Sequence, residues 1–273
     1  MNIKFTKMQG AGNDFVVVDD RAGKLDVTGE LARRILDRRF GSGADQLLII
    51  RNHGEADFEM RIHNADGSEV EMCGNGIRCA AIFAKSRGIV KNDKMLVKTL
   101  AGIVRPTIVG NMVRVDMGVP EFDGQKIPVN LQGEVLDHPL DVEGNKFSIS
   151  CVSMGNPHCV IYVNDVDSAP VEVVGPKIEH HRFFPKRVNV EFVKVMSRKE
   201  IKMRVWERGS GETLACGTGA SAAAVISARK GLTDREMTVH LRGGDLLINW
   251  LESGLVIMTG PAVEVYRGEI NID

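Results

Sequence analysis

Met60-Arg-Ile-His-Asn-Ala-Asp-Gly-Ser-Glu-Val-Glu-Met-Cys-Gly-Asn-Gly76, continuing through Ile-Arg-Cys to Ala80-Ala81, has a second copy in the same chain. The copy reads Met203-Arg-Val-Trp-Glu-Arg-Gly-Ser-Gly-Glu-Thr-Leu-Ala-Cys-Gly-Thr-Gly219 and runs on to Ala223-Ala224. The two align without a gap at an offset of 143 residues, the distance from Cys73 to Cys216. The same offset joins Gly12-Asn13 to Gly155-Asn156, Gln46 to Asn189 and Gly88 to Gly231. It slips by one or two residues at Gly102/Gly244 and Pro120/Pro261, as loop insertions and deletions make it do. Chance supplies one Cys-Gly-x-Gly pair, not one offset held from Gly12 to Gly88. A repeat of this length means a duplicated structural unit.

The duplication predicts an α+β fold of two pseudo-symmetric homologous lobes, 1–117 and 118–262, with the boundary near Gly118-Val-Pro-Glu121. The tail 263–273 has no counterpart in the first lobe. It either crosses back onto that lobe or serves an oligomer contact. Short apolar runs predict strands at Val16–Val18, Leu47–Ile50, Met60–Ile62 and Met112–Val115 in the first lobe. Val160–Val163, Val188–Val195, Met203–Trp206 and Leu255–Met258 do the same in the second. Glu30–Arg39 reads as an amphipathic surface helix introduced by Thr28. Gly76–Ser86 and Gly219–Lys230 are apolar nearly all round, so each is expected to be a buried helix wrapped by the strands of its lobe. Each ends on a basic residue followed by glycine, a helix stop. The alternation is not regular βαβ, which disfavours a doubly wound nucleotide fold.

A chain of 273 residues has room for two cores. With 43% hydrophobic and 26% charged residues it falls among ordinary globular proteins. Lys+Arg number 35 against 36 Asp+Glu, a balance without the positive footprint of a nucleic-acid or anionic-membrane binder. Met1-Asn-Ile-Lys-Phe5 turns polar at Thr6-Lys7 and lacks a signal-peptide core. No stretch is long and apolar enough to span a bilayer. The expectation is a cytoplasmic protein with neither nucleic acid nor membrane as a partner.

Five cysteines, Cys73, Cys79, Cys151, Cys159 and Cys216, argue against a disulfide framework. Neither Cys-x2-Cys nor a Cys/His cluster occurs, so no metal is expected. Gly-x-Gly-x-x-Gly, a Walker lysine and an evident Schiff-base lysine are also missing, so no cofactor is expected. Cys79, Cys151 and Cys159 read as core thiols. Cys73 and Cys216 differ from them, because each immediately precedes a Gly-x-Gly turn that opens a helix. A helix N-terminus offers unpaired N–H groups and partial positive charge. It lowers the pKa of a nearby thiol and binds carboxylates. Two such starts brought to one interlobe cleft would place a sulfur on each face of a bound α-carbon. Inversion of that carbon needs a base on one face and an acid on the other, and a thiolate/thiol pair supplies both by exchanging roles. A redox disulfide between the same two cysteines is the competing reading.

These residues resemble the diaminopimelate epimerase family over essentially the whole chain. The matching motifs are Gly10-Ala-Gly-Asn-Asp-Phe15, Gly43-Ala-Asp-Gln46, Asn64-Ala-Asp-Gly-Ser-Glu69, Met72-Cys-Gly-Asn-Gly76 and Gly155-Asn-Pro-His158. Arg187-Val-Asn-Val-Glu-Phe192, Trp206–Gly219 and Gly260-Pro-Ala262 continue them in order. The resemblance implies a homodimeric isomerase, independent of pyridoxal phosphate, that converts LL-2,6-diaminopimelate to the meso form for lysine and peptidoglycan synthesis. It implies Cys73 and Cys216 as the acid/base pair, with His158 and Glu207 tuning them. It implies Gly74, Asn75, Gly217 and Thr218 at the reacting end of the substrate. Asn13, Gln46, Asn64, Asn156, Asn189, Glu207 and Arg208 would hold the rest, and Tyr266 would make a dimer contact.

Most of this set is paired by the repeat, and Asn64 facing Glu207-Arg208 is its sharpest asymmetry. Arg208 is expected to grip the distal carboxylate, since a guanidinium fork suits bidentate recognition. Glu207 would receive the distal ammonium. His63 reads as a strand residue, and His180 and His181 as surface. Asn13 and Asn156 alone would be turn residues. The runner-up function is a proline or hydroxyproline racemase-type enzyme, which shares the two-cysteine scheme, followed by a thiol switch that never turns over.

Overall fold

The computed structural model describes residues 1–272, and the chain folds as two compact units, Met1–Asp116 with Thr259–Asp273, and Met117–Met258. The first unit contains β1 (Asn2–Gly10), β2 (Asn13–Asp19), α1 (Gly29–Leu36), β3 (Gln46–Arg51), β4 (Phe58–Asn64) and β5 (Glu69–Val70). It continues with α2 (Gly74–Ser86), β6 (Val97–Thr99), β7 (Gly102–Val104), β8 (Thr107–Val109) and β9 (Met112–Asp116). The second has β10 (His138–Val142), β11 (Asn145–Ser153), β12 (Pro157–Tyr162), α3 (Val171–Glu179), β13 (Asn189–Ser197) and β14 (Glu200–Glu207). β15 (Gly211–Thr213), α4 (Gly217–Arg229), β16 (Glu236–Leu241), β17 (Gly244–Trp250) and β18 (Val256–Pro261) follow, and β19 (Val263–Asn271) ends the chain.

The two units are α+β and repeat one topology. In the first, strands run β19-β1-β2-β3-β4-β6-β7, with β5 on β4; in the second they run β10-β11-β12-β13-β14-β16-β17, with β15 on β14. The parallel pairs also correspond, β2/β3 with β12/β13 and β4/β6 with β14/β16. Parallel neighbours need a crossover, supplied by the segments carrying α1, α2, α3 and α4. β19 pairs antiparallel with β1 from Asn2/Asn271 to Gln9/Val263, so the tail occupies in the first sheet the place that β10 occupies in the second.

α2 and α4 are the buried helices. Ten of the thirteen residues in each are buried, among them Ile77, Phe83, Val225 and Ile226. Burial of a large apolar side chain contributes about 1.5–3 kcal/mol, more than helix propensity supplies. Both helices begin two residues earlier than the Gly76 and Gly219 starts expected from sequence. The cysteine itself is the N-cap, and its sulfur accepts the N–H that a serine or aspartate oxygen usually takes.

α1 starts as expected, with Thr28 Oγ1 accepting from Leu31 N, but stops at Leu36 rather than Arg39. Asp37 ends it, because its carboxylate takes the N–H groups of Arg39 and Phe40, each at 2.7 Å. α3 runs against the local sequence signals. Val171, Val173 and Val174 favour strand, and Gly175-Pro176 signals a break. Tertiary packing overrides them. Ile178 is buried, Gly175 lies against Trp206 so closely that a Cβ would come within 2.6 Å, and Glu179 accepts the Trp206 indole N–H at 2.7 Å.

Candidate active site

In each unit the site residues gather at one end of the sheet and at the start of the buried helix. In the first, Asn13 opens β2, Gln46 opens β3 and Asn64 closes β4, with Gln46 directly opposite Asn64. Gln46 Nε2 donates to Asn64 Oδ1 at 2.8 Å. Asn13 Nδ2 donates to Asp45 at 2.8 Å, and its Oδ1 accepts from the Cys73 thiol at 3.7 Å and from Asn75 Nδ2 at 3.4 Å. Cys73 Sγ accepts the Gly76 N–H at 3.4 Å.

The second unit repeats these positions. Asn156 directly precedes β12, Asn189 opens β13 and Glu207 closes β14. Asn156 Nδ2 donates to Thr218 Oγ1 at 3.3 Å, the repeat equivalent of the Asn13–Asn75 contact. Cys216 Sγ accepts the Gly219 N–H at 3.4 Å and lies 3.4 Å from Thr218 Oγ1. The caps have nearly the same backbone, φ −138° and ψ 119° at Cys73, φ −126° and ψ 114° at Cys216. Gly74 and Gly217 are buried first-turn residues, whose N–H groups have no carbonyl of their own helix to bind.

Asn189 is buried. It donates to the Pro157 carbonyl at 2.8 Å and accepts the Arg208 N–H at 2.9 Å, fixing the turn after β14. Glu207 Oε1 accepts from Thr213 at 2.5 Å. The Arg208 side chain is exposed, with Nη1 on the Lys186 carbonyl at 3.2 Å. Tyr266 stands apart on the outer edge strand β19, beside exposed Val263 and Val265. His63 lies in β4, and His180 is exposed. Cys79, Cys151 and Cys159 are fully buried in strands or helix.

His158 sits within β12, fully buried, with Nδ1 2.6 Å from Glu191 Oε1 and Nε2 3.0 Å from Asn156 Oδ1. Glu191 is a site neighbour that sequence reasoning misses, although a lone carboxylate inside the apolar run Val190-Glu-Phe-Val193 is a signal for it. Burial pushes its carboxyl up in pKa, against the pull of His158. Asp45, which holds Asn13, is a second neighbour that the motif contains and the spacing does not single out.

One expectation reverses. The helix-end argument predicts lowered thiol pKa values, but at Cys216 the direction is strongly upward. Burial is the largest cause and the charge of Glu207 the next; the bond from Thr218 and the Gly219 N–H oppose them without winning. A thiol in this setting rests protonated. Among the described residues, no group of three or more His, Cys, Asp or Glu side chains is placed to hold a metal ion. No helix among them is long and apolar enough to cross a membrane.

The duplicated fold is shared with solved structures of low sequence identity. A phenazine biosynthesis protein of the PhzF family from Bacillus anthracis matches with a TM-score of 0.74 at 19% identity, covering 100% of both chains. A hydroxyproline epimerase from Agrobacterium vitis matches with a TM-score of 0.68 at 14% identity, over 100% of this chain and 93% of that one. The chain itself belongs to the diaminopimelate epimerase family, whose model matches residues 5–122 and 150–265. It is 52% identical to the diaminopimelate epimerase of Moorella thermoacetica, over 98% of this chain and 99% of that protein. It is 49% identical to that of Nitrosomonas europaea, over the full length of both. The chain is thus an epimerase, an enzyme of the isomerase class.

Proposed function

We propose that this enzyme converts LL-2,6-diaminopimelate to meso-2,6-diaminopimelate by two-base proton transfer between Cys73 and Cys216. One thiolate removes the α-proton and the other thiol delivers a proton to the opposite face. The matched capping of α2 and α4 by the two cysteines carries this reading. Gly74, Asn75, Gly217 and Thr218, in the first helical turns, receive the carboxylate next to the reacting carbon and stabilise the charge that flows into it. Asn13, Gln46, Asn64, Asn156 and Asn189 line the rest of the substrate. Glu207 takes the distal ammonium and Arg208 the distal carboxylate. His158 and Glu207 tune the thiols.

The enzyme works in the cytoplasm, supplies lysine and peptidoglycan synthesis, and pairs as a homodimer through the β19 edge around Tyr266. The likeness to a hydroxyproline epimerase shows the fold alone and does not favour a proline substrate. The deciding experiment follows LL-diaminopimelate in deuterated water. Deuterium enters the α-position as the meso form appears. A protein that binds the compound yet leaves it unlabelled is a thiol switch or binder.

A further inference from the structure

One buried carboxyl lies outside the roles assigned so far. Glu191, in the middle of β13, is fully buried and 2.6 Å from His158 Nδ1. It lies against the first turn of α4, where a Cβ on Gly219 would come within 2.9 Å of Oε1; Oε2 has no hydrogen-bond partner. In the repeat, the positions of Glu191 and His158 are filled by Leu48 and Phe15, and these are the side chains a Cβ on Gly76 would meet, at 3.3 and 3.4 Å. One helix start therefore rests on two apolar side chains and the other on a carboxyl–imidazole pair.

The consequence runs along a chain of hydrogen bonds. His158 Nε2 faces Asn156 Oδ1 at 3.0 Å. An amide oxygen only accepts, so Nε2 carries its proton, and one further proton is shared by Nδ1 and Glu191 Oε1. With its oxygen engaged, Asn156 turns Nδ2 to Thr218 Oγ1 at 3.3 Å. Thr218 then accepts from Asn156 and has its hydroxyl hydrogen left for Cys216 Sγ at 3.4 Å. In the first unit, with no imidazole at that place, Asn13 aims its oxygen at the thiol, and Cys73 donates to it.

We propose that Glu191 is a positioning residue which, through His158 and Asn156, orients Thr218 to donate its hydroxyl hydrogen to the Cys216 sulfur, the reverse of the bond at Cys73. The two thiols thereby differ although their helix caps match. A bond received from Thr218 supports the thiolate of Cys216; the bond that Cys73 donates to Asn13 supports its thiol. The charged groups acting on Cys216 from neighbouring strands are Glu207 of β14 and Glu191 of β13, the latter bonded to His158 of β12. The Glu191–His158 pair is neutral as a whole, so a neutral replacement alters orientation rather than net charge.

This inference deepens the two-thiol reading and rests on it for its catalytic meaning. The test is iodoacetamide alkylation of the whole enzyme across pH, with Cys73 and Cys216 quantified separately by peptide mass spectrometry. In Glu191→Gln, Nδ1 meets either a donor or an acceptor, so the direction is lost. The midpoint for Cys216 is expected to rise by about one pH unit and kcat to fall about tenfold, with KM and the Cys73 midpoint unchanged. The double variant His158→Phe, Glu191→Leu installs the apolar pair of the first unit and should shift Cys216 the same way. An unmoved Cys216 midpoint in both variants, or equal shifts at both cysteines, overturns the proposal. Alkylation needs no diaminopimelate, so its outcome is separate from the fate of the two-base reading, which the deuterium experiment decides.

Discussion

The starts of α2 and α4 keep the same backbone and cap and differ in the side chains beneath them and at the end of the neighbouring strand. Both have a cysteine cap, a sulfur accepting an N–H at 3.4 Å, and an asparagine from a neighbouring strand or turn reaching the residue two positions after the cysteine. What changed after duplication is the bed and the far wall. Leu48 and Phe15 stand where the second unit has Glu191 and His158, and Asn64-Ala65 where it has Glu207-Arg208. The difference teaches that the cysteine cap and its asparagine contact tolerate little change, whereas the side chains beneath the helix start and at the end of the neighbouring strand have departed from symmetry.

The hardest test of what the halves share is removal of either sulfur. Cys73→Ala and Cys216→Ala should each lower the LL-to-meso rate by about 10³–10⁴-fold, followed by chiral separation of the product. Near-normal turnover in either variant breaks the comparison at its base. The far wall is tested next by Arg208→Ala, which restores the residue type of Ala65. Loss of a charge-assisted carboxylate bond should reduce kcat/KM for diaminopimelate about 10–100-fold, mostly through KM. An unchanged KM and kcat would remove Arg208 from the distal carboxylate.

The beds are compared by Gly219→Ala and Gly76→Ala in denaturant melts. At 219 the new methyl meets Glu191 Oε1 at 2.9 Å, and overpacking of this kind costs about 1–3 kcal/mol. At 76 the contacts are 3.3 Å or longer, and a helix-propensity gain of up to about 1 kcal/mol offsets them. The second unit should lose stability and the first should barely change; equal losses would mean that the beds do not differ mechanically.

The smallest effect is in pH. Burial alone would raise Asp14, next to Asn13, but bonds from Arg38 and Lys7 bring its pKa to about 2. Its folded value is below the unfolded one, so its contribution is present above about pH 4 and is lost as pH falls toward 2. Solvent screening of this half-buried group leaves about 1 kcal/mol, and Asp14→Asn should flatten that acid limb. Cys159 and Cys216 are shifted the other way, by burial first. The folded protein keeps protons there that the unfolded chain gives up, so stability declines as pH rises beyond about 9. Cys159→Ala should lessen that alkaline decline.

The duplication, the two buried helices and the cysteines were legible because identical backbone devices leave identical residues at a fixed spacing. The Asn13–Asn75 and Asn156–Thr218 contacts were implicit in the same offset. Hidden features were those that packing decides. α3 forms against strand-favouring valines because Trp206 and Glu179 hold it. The upward shift at Cys216 depends on desolvation, which no spacing reports. Glu191 looks like one residue of a strand until its neighbour across β12 proves to be a histidine.

β10 and β19 fill the same place in their sheets but enter by different routes. β10 folds back on β11 through the tight turn between Val142 and Asn145, whereas β19 must bring Asn271 to Asn2 across nearly the whole polypeptide. In the (3/2)RT ln n approximation the second closure costs about 4 kcal/mol more in chain entropy. Synthesis runs from the N-terminus, so on the ribosome β1 stays without its outer neighbour until β19 has been made. The half of the enzyme that is made first is therefore the half that is finished last.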